Sequence, residues 1–119
     1  MDEENMKTIQ MHLLPAPFEQ IKSGKKQIEI RLYDEKRREI CVGDTIVFSK
    51  LPDKTEQLTT VVTGLSCFPT FRMLLEAFPA EQFGFENADM EQMLREIHEI
   101  YPCERERQWG VLGIHIKCE

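Results

Sequence analysis

The 119 residues, 41% of them hydrophobic, suit one domain around one core, and a single domain over 1–119 is the expectation. A net charge of -6 counts against a protein that coats nucleic acid along its length, because counterion release needs an extended basic surface. The acidic start, residues 1–5, lacks an apolar run and no segment approaches spanning length, so no secretory signal or membrane anchor is expected and the expected location is the cytoplasm.

Residues 7–13 alternate, with Ile9, Met11 and Leu13 on one side and Thr8, Gln10 and His12 on the other, which predicts a first strand. Pro15 and Pro17 stop it. Pro17 then opens a short helix carrying Phe18 and Ile21, and Gly24 closes it. Alternation returns at once over 27–33. The charged stretch 34–40 reads as a turn or short helix, and Gly43 and Asp44 punctuate the entry to a strand at 45–49. A hairpin loop leads to a long Thr/Val-rich strand at 57–67, where Gly64 marks a bulge that bends strands around a small barrel.

Thr70 caps a helix in which Phe71, Leu74, Leu75 and Phe78 repeat with helical spacing. A loop at 79–86 follows. The strongest helix starts near Asn87 or Asp89, carries Met90, Met93, Leu94, Ile97 and Tyr101 on one stripe, and ends at Pro102. The last strand, 109–117, turns Leu112, Ile114 and Ile116 inward. Five strands interrupted by two or three helices predict an α+β fold, a mixed β-barrel with the helices across its ends.

The strand at 27–33 carries more chemistry than folding requires. Ile28, Ile30 and Leu32 share one face, while Gln27, Glu29 and Arg31 share the other. Opposite charges two residues apart on one strand face pair with each other or clamp a polar ligand. Lys26 has the wrong parity, but it precedes the regular strand, where the turn from the helix re-aims its long side chain. Between Lys22 and Arg38 stand seven basic residues against three acids, a balance of +4 that leaves -10 for the rest of the chain. Such a focus on an acidic body favours a small anionic or polar ligand, or a few nucleotides, over a long duplex. The competing reading of 36–38 is a solvated turn.

Gly24, Lys26, Glu29 and Arg31 fit the pattern GxKxxExR, and the segment resembles the signature of the ASCH domain family, a branch of the PUA-like β-barrel superfamily. Residues 17–21 resemble the family's lead-in helix, 42–46 its glycine turn and 109–114 its closing strand, so the likeness covers roughly 7–117. It implies a PUA-like barrel that binds RNA or a modified nucleoside through Lys26, Glu29 and Arg31. An alternative implied by one branch is an amidohydrolase that deacylates N4-acetylcytidine-like nucleosides. There Lys26 matches the catalytic lysine, Glu86 the glutamate, and Glu29 stands where that branch carries threonine.

Aromatic side chains that stack on a base are sought in Phe18, Tyr33, Phe85 and Trp109, with Phe18 and Trp109 the two retained as ligand-binding candidates. Neither a cofactor nor a metal is expected; His115 and Cys118 have a metal-like spacing without a second pair. Cys41, Cys67, Cys103 and Cys118 stand singly, which suits reduced thiols with packing roles better than a disulfide framework.

Overall fold

The alternation at the N-terminal end yields β1 (Thr8–Leu13), and the proline pair after it opens α1 (Pro15–Lys22). The computed structural model describes residues 6–119; the acidic start at 1–5 lies outside them. α1 begins two residues earlier than expected because Pro15 takes the first turn, where its missing N–H has no helical partner to lose. There follow β2 (Ile28–Leu32), a 3₁₀ turn at Arg37–Glu39, β3 (Thr45–Lys50) and β4 (Gln57–Phe68). Then come α2 (Phe71–Ala77), a 3₁₀ turn at Ala80–Phe83, α3 (Met90–Ile100), α4 (Cys103–Trp109) and β5 (Val111–Cys118).

The strands form one mixed sheet in the order β1-β3-β4-β5-β2, in which β1 runs parallel to β3 and the other neighbours are antiparallel. The sheet curls into a half-barrel. Its register shifts in β4 between Val62 and Gly64, the position expected to bend. β1 and β2 are its two free edges, and the seam between them is the opening of the barrel.

Two apolar clusters flank the sheet. Inside the curl, Met11, Phe48, Val62, Leu112 and Ile114 pack with Phe18 and Ile21 of α1. On the outer side, Ile28, Leu32 and Val111 pack against Phe71, Leu74 and Ile97 of the helices. α2 approaches closely at Gly113, where a Cβ would meet Leu74 Cδ1 at 2.9 Å and Ile28 Cγ2 at 3.2 Å. β2 is therefore covered on both faces, and its polar residues point into the barrel.

Three expectations need correction. The fold has four α-helices among the described residues, not two or three. α4 escaped notice because residues 103–109 have no apolar stripe; Pro102, which ends α3, also stands at the N-cap of α4, so β5 starts at Val111 and not at 109. The cysteines are free thiols as expected, but Cys41, Cys67 and Cys103 are exposed and do not fill the core. No helix among the described residues is long and apolar enough to cross a membrane.

Phe18 is 0% exposed and closes the inner cluster. Phe18→Ala is expected to cost about 3–5 kcal/mol, with Phe18→Leu losing less, when unfolding in urea is compared with the wild type. Unchanged stability in the alanine variant would remove Phe18 from the core.

Candidate functional site

The site begins where α1 hands over to β2. Gly24 takes φ +83°, a left-handed conformation that a side chain would strain, and the Lys26 N–H returns to the Gln20 carbonyl at 2.9 Å. The Gln27 N–H bonds the Gln82 carbonyl at 2.8 Å, fixing the entry to β2. This turn re-aims Lys26, whose Nζ reaches Glu29 Oε1 at 2.9 Å. Glu29 and Arg31 lie opposite Ile114 and Leu112 on the concave face, and Arg31 Nε donates to Glu29 Oε2 at 2.8 Å. Glu29 is 5% exposed, so this is a buried carboxylate held between two cations and not the surface pair of a solvated edge.

Arg31 continues the chain to the seam. Its Nη2 donates to the His12 carbonyl of β1 at 3.3 Å, linking the two free edges of the half-barrel. Burial by itself would raise the Glu29 carboxyl, but the charges of Lys26 and Arg31 and their hydrogen bonds outweigh it and hold the group below its ordinary value. Burial likewise opposes the Arg31 charge, and Glu29 reverses the balance and raises its pKa.

Beside the seam lies a cleft of about 390 Å³ whose polar lining includes Lys7, Gln10, His12, Arg31, Arg37 and Glu39, with Thr8 and Lys36 beside them. Asp34 braces Arg37 by accepting from its backbone N–H at 3.1 Å and from its Nη1 at 3.3 Å. Arg37 Nε is buried without a hydrogen-bond partner. Lys26 lines a different depression, of about 550 Å³, with Lys22, Gln27, Thr63 and Lys117. The three motif residues are thus joined through Glu29, while Lys26 and Arg31 open onto separate concavities.

The remaining candidates disperse. Phe18 is enclosed in the core and presents no free face, which argues against stacking on a ligand. Trp109 is half-buried at the end of α4, where its carbonyl accepts from Arg38 Nη2 at 3.2 Å. Tyr33 lies under the Arg38 guanidinium, 4.2 Å from the ring centroid, and Phe85 packs on the outer cluster. Glu86, 56% exposed, pairs with Lys25 and not with Lys26. His115 Nε2 lies 2.8 Å from Ser66 Oγ, which gives the imidazole a partner other than Cys118.

Sequence reasoning missed the β1 edge and Arg37. Thr8, Gln10 and His12 had the right parity for an exposed face, but only the pairing order reveals that this strand borders the motif strand's seam. Arg37 was absorbed into the solvated-turn reading. Another group of donors, His98, Cys103 and Glu106, comes together on the helical side of the sheet.

A curled sheet carrying this motif on an inward-facing edge strand defines a PUA-like half-barrel. The chain belongs to the ASCH domain family, whose model matches residues 11–118; the family is linked to RNA binding. It is similar to the hypothetical protein PH0355, whose crystal structure superposes with TM-score 0.84 at 36% identity, covering 96% of this chain and 100% of that one. The solution structure of PF0455 from Pyrococcus furiosus matches with TM-score 0.73 at 33% identity over 93% and 96% of the two chains. The ASCH domain from Lactobacillus crispatus shares the fold at 14% identity and TM-score 0.69, covering 92% of this chain and 79% of that one. No curated protein matches.

Because the folded Glu29 carboxyl lies below its ordinary value of 4.5, its contribution to stability is present above that pH and is lost as pH falls through the folded value. Glu29→Gln is expected to lower stability at pH 7 by about 3–5 kcal/mol, since it leaves two cations without their shared partner. Urea unfolding measured between about pH 7 and 3 should also give a flatter profile for the variant below pH 4.5. Equal slopes in the two proteins would show that Glu29 is not held charged by its neighbours.

Proposed function

We propose that this chain binds single-stranded RNA, or a modified nucleoside within it, in the cleft between β1 and β2. The observation that carries the reading is the state of Arg31: its Nε is spent on a buried carboxylate and one Nη on the opposite edge strand, with the side chain lining the cleft. A guanidinium fixed in this way presents its remaining donors without a further loss of rotamer freedom. Lys36 and Arg37 bring two more positive charges to the cleft wall, Arg37 held in place by Asp34. The outer edge of β1 adds backbone donors and acceptors suited to the edges of an unstacked base.

Within this reading Lys26 and Glu29 position Arg31, and Lys26 offers a second contact in the neighbouring depression. The amidohydrolase alternative is not favoured. Both oxygens of Glu29 are engaged by cations, its carboxyl is held low, and Glu86 stands on Lys25 at the surface. A general base needs an oxygen free to take a proton at working pH.

Few phosphates fit around one basic focus on an acidic body. Binding of a short single-stranded RNA should therefore show a log–log salt slope of about -1.4 to -2.1, two or three contacts at about -0.7 each. Lys36→Ala and Arg37→Ala should each reduce the slope by about 0.7 while leaving the fold intact by circular dichroism. Tight duplex binding with a slope of about -6 or steeper, or variants that bind as the wild type does, would contradict the proposal.

A further inference from the structure

We propose that His98, Cys103 and Glu106 form a binding site for a zinc-class transition metal ion on the helical side of the sheet, separate from the cleft. Their donor atoms, an imidazole nitrogen, a thiol sulfur and a carboxylate oxygen, all lie within 4.8 Å of one another. Tetrahedral zinc with ordinary bond lengths holds such donors about 3.3–3.7 Å apart. His98 Nε2 and Glu106 Oε1 are already at 3.0 Å, so the remaining closure falls to Cys103, whose exposed side chain is free to rotate.

The local fold prepares this set. Pro102 separates α3 from α4, bringing His98 in the last turn of α3 against Cys103 and Glu106, which lie three residues apart on α4. Glu106 is a buried carboxylate whose Oε2 accepts from the Phe71 N–H at 2.7 Å, which leaves Oε1 directed at His98. The His98 ring stands edge-on to Phe71, with centroids 5.9 Å apart, so its orientation is set by packing. A backbone donor on the far oxygen of a ligating carboxylate is the kind of outer contact that orients metal ligands.

The donor chemistry selects the ion. Calcium and magnesium take oxygen ligands, whereas one thiolate, one imidazole and one carboxylate suit zinc and its spectroscopic substitute cobalt(II). Binding releases the Cys103 thiol proton to solvent, and the Nε2 proton that His98 shares with Glu106 Oε1 must pass through solvent to Nδ1 before Nε2 takes the metal. Three protein ligands leave a fourth position for water. Through Glu106 and Phe71 the ion would tie the α3–α4 turn to the start of α2.

The test is titration of the metal-free full chain with cobalt(II), followed by displacement with zinc. The expected result is one equivalent bound, with the visible bands of a four-coordinate site and the near-ultraviolet band of a cobalt–thiolate bond, both erased by zinc. Cys103→Ser, a change at an exposed position, should abolish the thiolate band and weaken binding by at least the roughly 10- to 100-fold that outer contacts are worth. His98→Gln should weaken it comparably with circular dichroism unchanged. No cobalt binding by the folded wild type, or a thiolate band that persists in Cys103→Ser because Cys41, Cys67 or Cys118 supplies it, would overturn the assignment. RNA binding plays no part in this readout, so the cleft and the metal site stand or fall separately.

Discussion

Everything distinctive about this half-barrel hangs on one buried carboxylate. Glu29 lies on the inward face of an edge strand, where an uncompensated charge would be expelled or neutralised. Lys26 takes one oxygen and Arg31 the other, so the triad carries a net positive charge into the barrel wall. Replacing such a group by apolar residues of similar volume often leaves stability unchanged or improved, so the triad is better understood as a positioning device than as a source of stability. What it positions is Arg31, carried across the seam to the backbone of β1.

That contact also bears on the open edges of the sheet. An unpaired edge strand is a template for association, and natural proteins cover it, twist it or place charge on it. Here the two edges face each other, with a guanidinium spanning between them and Lys36 and Arg37 beside the gap. The device that keeps the seam from closing into a continuous ladder also furnishes it with donors. A chain with net charge -6 thereby gathers part of its positive charge at the seam.

The strands were legible because alternation has a short period and survives burial of either face: the segments at 7–13, 27–33, 45–49 and 57–67 all lie within one or two residues of their observed bounds. The motif trio was legible for a similar reason, since parity places Glu29 and Arg31 on one face and the glycine turn explains Lys26. Two kinds of information were not available locally. α4 has a charged sequence whose buried member, Glu106, is held by partners on α2 and α3, so no periodic apolar signal marks it. The cleft depends on β1 facing β2 across a sheet of order β1-β3-β4-β5-β2, a long-range fact that no spacing within either strand encodes. Phe18 misled because an aromatic beside a motif reads as a stacking platform or as core, and its place on the buried face of α1 decides for core.

The central claim is that the Arg31-bridged seam is where nucleic acid docks. It is tested most directly by nuclear magnetic resonance on the isotope-labelled chain, following backbone amides and the arginine Nε–H signals while a short single-stranded RNA is added. The account predicts perturbations concentrated on residues 8–12, on the Arg31 and Arg37 side chains and on 36–40, with the helical face silent. Perturbations confined to α2, α3 and α4, or to the depression around Lys22 and Lys117, with the Arg31 signal unmoved, would contradict it.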